Sequence, residues 1–429
     1  MNQIKPMLLT TLKSYDRSQF VKDVTAGIIV AIIALPLSIA LALASGVGPQ
    51  AGIFTAIVAG FVISAFGGSS VQIAGPTAAF ATIVAGIVAK DGLDGLVIST
   101  ILAGIFLILM GLCHFGSLIK FIPYTITTGF TSGIAVTIVI GQLKDFFGVT
   151  YPNGLKPIET MEKLKAFALG FSSFHVDALI VGGVSLAILI ISPYIFKRIP
   201  GSLIAVIIGI LMVKFLPLHV STIGNLYTIT NDLPSFHIPA VKFSIVKSAI
   251  PNAFTIAVLA AIESLLSCVV ADGMINGKHR SDTELVAQGL GNIASALFGG
   301  IPATGAIART AANIKNGGRT PVAGMVHSIT LVIVLVVLMP FAGMIPMPTI
   351  AAILFIVAYN MCQWRTFVHM LKTAPKSDII VLIVTFILTV VFDLVVAIEI
   401  GMVIACLLFI KRMSEETHVD SWIYVDDDT

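Results

Sequence analysis

The chain has 429 residues, of which 57% are hydrophobic and only 11% charged, with a net charge of +3 and a mean hydropathy of +1.02. This composition excludes an ordinary soluble protein, in which about half of the residues are apolar and about a quarter are charged. No block of basic residues is present, so we expect no nucleic-acid partner. The four cysteines stand apart without a CxxC pair, which gives no pattern for a metal site or a disulfide framework.

Apolar segments near ~20 residues in length indicate membrane spans. In the first half they predict spans at 24–44, 50–67, 93–114, 125–143, 176–196 and 201–216. Between the second and third of these, Gly67 and Gly68 interrupt the apolar sequence and an extended segment with Pro76 follows. We predict a short helix after this break, at about 76–89.

The second half repeats the pattern, with spans predicted at 250–271, 283–299, 320–341, 347–361, 378–393 and 395–410. Gly299 and Gly300 form the matching break, and a second short helix is predicted at 304–316. The chain then has fourteen transmembrane elements, seven in each half. Because seven is odd, the second half enters the membrane from the opposite side. The predicted fold is an all-α polytopic membrane protein of two inverted repeats, with two half-helices preceded by extended segments.

The charges suggest how this fold is oriented. Lys and Arg are concentrated in the short loops that lie on one side of the predicted membrane. The positive-inside rule places that side in the cytoplasm, so both termini are expected to be cytoplasmic and the protein is expected in the cell (inner) membrane. The predicted units are an N-terminal segment 1–23, a first repeat 24–216, an extracellular loop 217–249, a second repeat 250–410 and a cytoplasmic tail 411–429.

Each predicted half-helix starts inside the bilayer. A helix start presents unsatisfied N–H groups, equivalent to about half a positive charge, to whatever lies before it. The first helix is predicted to begin at Pro76 and the second near Thr304, Gly305 and Ala306. Two such starts facing a common space suit an anion. The alternative is that the glycines only allow close packing around an ordinary kink.

Ionisable residues within spans are costly and therefore are candidates for function. Glu263 lies in the first span of the second half, and Ser267 follows four residues later on the same helical face. Such a pair can hold a proton or offer two oxygens to a sodium ion; no other cofactor is expected. Arg309 is expected about five residues into the second half-helix, where it adds positive field. The alternative is a structural ion pair between Glu263 and Arg309.

Three segments resemble the sulfate permease (SulP) family of inorganic-anion transporters, which includes bicarbonate transporters and prestin-type carriers. They are DVTAGIIVAIIALPLSIALALASGVGPQAGIF, QIAGPTAAF and ELVAQGLGNIASALFGGIPATGAIARTAANIKNGGRTPVAG, and the closing FIKRMSEET agrees as well. The resemblance implies a uracil-permease-like fold with a core and a gate domain, and a homodimer in the lipid membrane. It also implies a C-terminal STAS domain, which we expect to be absent because the sequence ends where it would begin.

The resemblance further implies the residues of the site. The anion would be lined by Leu37 and Leu41 on the first helix, Thr77 after Pro76, and Ala306, Ile307, Ala308 and Arg309 on the second half-helix. The coupling ion would lie at Glu263, Ser267 and Gly305. Sodium-coupled bicarbonate members have aspartate at position 263 and threonine at 267, whereas proton-coupled bacterial members have glutamate at 263. Sodium and proton therefore both stay open.

The leading hypothesis is a secondary active transporter that moves a small anion by alternating access, coupled to protons or sodium. Sulfate, bicarbonate and a dicarboxylate are the candidate substrates. The alternatives are an anion channel and a nucleobase permease on the same fold. An intramembrane enzyme is not expected, since the predicted spans have no HExxH, paired aspartates or Gly-x-Ser-x-Gly.

Overall fold

The computed structural model describes residues 4–117, 124–152, 157–196, 200–239 and 243–391, together with residues 400, 403, 404 and 407. After a short helix α1 (Leu8–Thr11) and a 3₁₀ turn (Leu12–Ser14), the described part of the first half contains one short strand and seven α-helices. They are α2 (Arg17–Ala44), α3 (Pro49–Phe66), β1 (Ala74–Gly75), α4 (Ala78–Leu112), α5 (Tyr124–Phe147), α6 (Thr160–Gly170), α7 (Val176–Ile195) and α8 (Gly201–Phe215).

The second half follows a short helix in the connecting loop, α9 (Ile223–Leu226). Its elements are α10 (Phe243–Ile275), α11 (Ser281–Leu297), β2 (Thr304–Gly305), α12 (Ile307–Lys315), α13 (Val322–Ala342), α14 (Met347–Cys362), α15 (Trp364–Thr373) and α16 (Lys376–Val391). Almost all of the predicted last span, 395–410, and the whole predicted tail, 411–429, lie outside the described residues.

Local signals explain several helix starts. Asp16 precedes α2 and accepts a hydrogen bond from the backbone N–H of Gln19 at 2.8 Å, which satisfies one of the free donors of the first turn. Pro49 occupies the first turn of α3, where its missing N–H costs no hydrogen bond. These signals place the starts of α2 and α3, and α3 ends directly before the first Gly–Gly break.

In the described part of the chain, eight helices are long and apolar enough to cross a membrane, and large apolar side chains cover much of their outer surface. The predicted all-α, multi-pass architecture with two inverted repeats is therefore confirmed. The sequence-predicted bounds differ in places. The first half-helix and the following span form one helix, α4, which is kinked at Gly92 with φ of +72°. The predicted loop 217–249 contains α9 and the first turns of α10.

The two halves interlock rather than lying side by side. Helices α2, α3 and α4 of the first half pack against α10, α11 and α13 of the second, while α5 and α7 pack against α14 and α16. Small residues allow these close contacts. At the crossing of α4 and α11, a Cβ on Gly104 would meet the carbonyl oxygen of Gly289, and a Cβ on Gly289 would meet that of Gly104.

The N-terminal segment is tied to the end of α12. Asp23 is fully buried and accepts hydrogen bonds from Tyr15 Oη at 3.0 Å and from Gln19 Nε2 at 2.9 Å. It also accepts from the backbone N–H of Arg319 at 2.9 Å, in the turn that follows α12. Burial, reinforced by the Asp23 carboxylate, raises the pKa of Tyr15 to about 12. These contacts fix the C-terminal end of the second half-helix.

Candidate functional site

A two-stranded ladder joins the halves at the centre of the molecule. β1 and β2 pair antiparallel, with Ala74 opposite Gly305 and Gly75 opposite Thr304. The backbone N–H of Ala306 also donates to the carbonyl oxygen of Ile73 at 2.9 Å. Each strand leads within three residues into a half-helix. The ladder therefore fixes the start of α4 in the first half against the start of α12 in the second.

The helix starts differ from the sequence-based prediction. Pro76 is not in a helix; Thr77 is the extended N-cap, with φ of −126° and ψ of 158°, and α4 begins at Ala78. Thr304 and Gly305 likewise belong to β2, and α12 begins at Ile307 after its N-cap Ala306. The pairing of the strands keeps these residues extended. The half-helices therefore start two to three residues later than their sequences predict.

The starts of both half-helices lack side-chain caps. The N-cap residues Thr77 and Ala306 form no side-chain hydrogen bond to the N–H groups of α4 and α12. Unsatisfied N–H groups and the helix dipole give each start a partial positive charge. Two starts held beside one strand pair create a positive region within the protein, with backbone donors available to a ligand.

Arg309 adds a full positive charge to this region. It is the third residue of α12, rather than the fifth as expected, and only 1% of it is exposed. Its Nη2 donates to the carbonyl oxygen of Pro76 at 3.0 Å and lies 3.4 Å from Oγ of Ser38. Its Nη1 lies against Gly75, where a Cβ would meet it. The guanidinium therefore links α12 to the segment that leads into α4.

Two nitrogens of this guanidinium have no hydrogen-bond acceptor within the described residues. They are Nε and Nη1 of Arg309, and both are buried. An arginine donor buried without an acceptor is costly, because the loss of its hydration is not offset. Arg309 therefore leaves hydrogen-bonding capacity and positive charge directly behind the two helix starts.

Glu263 brings a carboxylate to the start of α4. It lies on α10, and its Oε2 accepts a hydrogen bond from the hydroxyl of Thr77 at 3.0 Å. Glu263 and Arg309 do not form the ion pair that was the alternative expectation: no such pair is present among the described residues. Each side chain has other hydrogen-bond partners. One negative group therefore faces the N-terminus of α4.

The neighbouring hydroxyls of α10 hold the second repeat. Ser264 Oγ lies 2.7 Å from Oγ1 of Thr304 and accepts from the backbone N–H of Gly305 at 3.1 Å. Ser267 donates instead to Oγ1 of Thr310 at 3.4 Å. Glu263 and Ser267 share a helical face, as expected, but their side chains bond to different partners. Among the described residues, Glu263 and Ser267 share no hydrogen-bond partner.

Comparison with known proteins decides the family. A model of the sulfate permease family matches residues 20–385. YvdB of Bacillus subtilis (strain 168) is 42% identical over 409 residues, which cover 95% of this chain and 77% of YvdB. The chain belongs to the sulfate permease family. It is accordingly a membrane transporter and not an enzyme.

Two further matches within the sulfate permease family concern one type of protein. The bicarbonate transporter BicA of Picosynechococcus sp. is 34% identical over 403 residues, covering 91% of this chain and 70% of BicA. The solved transmembrane domain of a cyanobacterium bicarbonate transporter BicA superposes with a TM-score of 0.80 and 30% identity. It covers 89% of this chain and 98% of that domain, so the two folds agree over nearly their whole length.

The remaining residues that family resemblance implies occupy different surroundings. Leu41 is 2% exposed and lies in the central apolar cluster with Ala78, while Leu37 packs at the edge of this cluster. Ala306 is half-buried, and Ile307 and Ala308 on α12 are exposed. The hydrogen bonds described above bring together Thr77, Glu263 and Arg309 around the strand pair. Leu37 and Leu41 offer this region only apolar surface.

The residues that hold the two Gly–Gly breaks are not among those predicted from the sequence. Glu284 on α11 accepts from the backbone N–H of Gly68 at 2.8 Å. On the same helix, Asn292 donates to the carbonyl oxygen of Ala303 and accepts from its N–H, both at 2.9 Å. Glu284, Gln288 and Asn292 recur every four residues in a predicted span. This polar face of an apolar helix was the signal for them.

Proposed function

We propose that this protein is a secondary active transporter that moves a small anion by alternating access and draws energy from a proton gradient. The observation that carries the proposal is the arrangement at the strand pair. Two uncapped half-helix starts and the buried guanidinium of Arg309 supply positive charge there. The carboxylate of Glu263 supplies the opposing negative group.

The positive region supports an anion as the substrate. Backbone N–H groups at a helix start bind oxyanions without a charged side chain, and an arginine adds charge-assisted hydrogen bonds. The free donors of Arg309 are consistent with this role. A nucleobase permease would grip a neutral ring, for which a buried cation behind the site offers no advantage. The arrangement therefore favours an anion over a nucleobase.

The position of Glu263 supports coupling to a proton. Its carboxylate is bonded to Thr77 at the start of α4, so an entering anion would be repelled by a charge already present there. Two unit charges ~4 Å apart interact by about 4 kcal/mol at an effective dielectric constant of ~20. Protonation of Glu263 removes this repulsion. An anion and a proton would therefore bind together, which is the requirement for symport.

Sodium is the competing coupling ion. It would need several oxygen ligands around Glu263, and the expected partner Ser267 donates to Thr310 instead. The expected residue Gly305 has its N–H bonded to Ser264. The proton needs no such ligand set, and we therefore propose it as the coupling ion.

For the substrate we propose sulfate or bicarbonate, with a dicarboxylate as a third candidate. The matching family is described as sulfate permeases, and BicA is a bicarbonate transporter. We further propose the orientation derived from the loop charges, with both termini in the cytoplasm of a cell (inner) membrane, and the homodimer implied by family resemblance.

The test is uptake into proteoliposomes of labelled sulfate, bicarbonate and dicarboxylate, with a proton or a sodium gradient imposed in turn. An inward proton gradient is expected to drive concentrative uptake of at least one of these anions. Glu263→Gln is expected to abolish this dependence. Asp94→Asn, which neutralises an exposed carboxylate on α4, is expected to retain it.

The other outcomes separate the alternatives. Full proton dependence in Glu263→Gln would remove Glu263 from the coupling mechanism, and uptake driven by sodium alone would replace the proton. Rapid flux that never exceeds equilibrium would indicate a channel. Failure of all three anions to enter would contradict the proposed substrates.

A further inference from the structure

The first Gly–Gly break leaves backbone donors inside the protein that no helix satisfies. Glu284, in the first turn of α11, meets this need. Its Oε2 accepts from the N–H of Gly68 at 2.8 Å and from the N–H of Ser69 at 3.1 Å. Glu284 is 0% exposed. The break in the first half is therefore held by a carboxylate of the second half.

The other carboxylate oxygen is equally engaged. Oε1 of Glu284 accepts from Nε2 of Gln72 and from Nε2 of Gln288, both at 2.9 Å. The carboxylate thus receives four donors, two on each oxygen. An ionised carboxylate accepts from all four, whereas a protonated one would bring its own O–H against groups that all donate. Glu284 is a buried charge that is stabilised by dipoles.

Gln72 carries this arrangement to the strand pair. Its Nε2 donates to Glu284 and its Oε1 accepts from Sγ of Cys268 at 2.6 Å, so both ends of the amide are engaged. The same amide lies against Gly305 of β2, where a Cβ would meet it. Gln72 is 4% exposed. A chain of contacts therefore runs from the first break through Glu284 and Gln72 to the strand that leads into α12.

We propose that Glu284 and Gln72 are positioning residues for the anion: they fix Gly305, and through it the N–H groups at the start of α12, without touching the anion. The inference rests on the proposed anion site. It predicts that the pair sets the affinity for the anion, since a shift of β2 moves the donors of α12 relative to those of α4.

The test is a cycle of variants measured by the KM of anion uptake. Glu284→Gln places an NH₂ group against the NH₂ of Gln72 or Gln288. It is expected to raise KM about tenfold, as for the loss of one good charge-assisted hydrogen bond. Gln72→Glu alone brings two carboxylates together and is expected to be at least as harmful. The double variant Glu284→Gln/Gln72→Glu restores an amide–carboxylate pair with the same net charge.

This exchange can be accommodated in the structure. Gln at 284 would keep an oxygen for the N–H of Gly68 and donate its NH₂ to Glu at 72. Nε2 of Gln288 faces residue 284 and its Oε1 has no partner among the described residues, so a half-turn of this amide brings Oε1 into place to accept the second hydrogen. The double variant is therefore expected to return KM to within about threefold of the wild type and to retain gradient dependence.

A residue that only stabilises the fold would lower the amount and maximal rate of the protein while KM stayed constant, and this result in Glu284→Gln would overturn the proposal. Failure of the double variant to recover KM would overturn it also.

Should Glu284→Gln not fold, Cys268→Ala replaces it. This change frees one end of the Gln72 amide and is expected to raise KM, whereas Cys268→Ser keeps the donor; equal KM values in the two would contradict the inference. Wild-type protein without saturable uptake would refute the proposed function instead.

Discussion

Asn292 on α11 holds the second Gly–Gly break, and Asn292→Ala is expected to destabilise the protein more than an ordinary surface change. Its Nδ2 donates to the carbonyl oxygen of Ala303 at 2.9 Å, and its Oδ1 accepts from the N–H of Ala303 at 2.9 Å. Nδ2 also donates to the carbonyl oxygen of Gln288, four residues earlier on α11, at 2.8 Å. Asn292 and Ala303 are both fully buried.

The expected cost follows from these contacts. Truncation to alanine leaves the buried N–H and carbonyl of Ala303 without partners, and each unsatisfied group costs ~1–3 kcal/mol. A water molecule that enters the vacated space would recover part of this. The carbonyl of Gln288 remains within the helix and adds little. The free energy of unfolding is therefore expected to fall by about 2–4 kcal/mol.

Asn316→Ala is the matched control. Asn316 is exposed at the end of α12, and its Nδ2 donates to the carbonyl oxygen of Ala312, also four residues earlier. It thus shares the local bond of Asn292 but has no contact like the one to Ala303. For this control, the free energy of unfolding, measured by reversible unfolding in mixed detergent micelles, is expected to change by less than ~0.5 kcal/mol. Equal losses in the two variants would refute the reasoning about the break.

Three further predictions concern uptake. Thr77→Val removes the hydroxyl that donates to Glu263 and is expected to weaken the response to a proton gradient, which Thr77→Ser retains; equal responses would contradict the coupling role. Gly75→Ala places a Cβ against Nη1 of Arg309 and is expected to reduce uptake, whereas Gly86→Ala, at an open position on α4, is expected to leave it unchanged. Arg309→Lys keeps the charge without the planar fork, so its rate is expected to lie between those of the wild type and Arg309→Ala. Wild-type uptake by Arg309→Ala would show that the cation is not needed.

Hydrophobic segments and their two glycine breaks are visible in the sequence, and the multi-pass inverted-repeat fold could be predicted from them. The breaks are visible because Gly67 and Gly68 match Gly299 and Gly300 in apolar surroundings. Helix starts were harder to place. Proline is favoured in the first turn of a helix, which suggested a start at Pro76. Strand pairing with a segment of the other half overrides this local preference and delays the start to Ala78.

The supporting residues of the site could not be assigned from their own neighbourhoods. Glu284 contacts Gly68 and Gln72, both of which lie in the other half of the chain. From the sequence alone, Glu284 is a carboxylate near the start of a predicted span, and such a residue is usually expected to be solvated. The hydrogen-bond partner of Arg309 could not be predicted either. Charge and spacing predict a cation in the site, but they do not show that its side chain bonds to the carbonyl oxygen of Pro76.

The ladder between β1 and β2 has a consequence for how the protein is made. Its strands come from opposite halves of the chain, so the backbone groups around Ala74 and Gly75 have no partners until the second half has been synthesised and inserted. Unsatisfied backbone groups in hydrocarbon cost several kcal/mol each. The first half alone therefore cannot satisfy these groups, and the ladder closes only as a late step of biogenesis, when β2 meets β1.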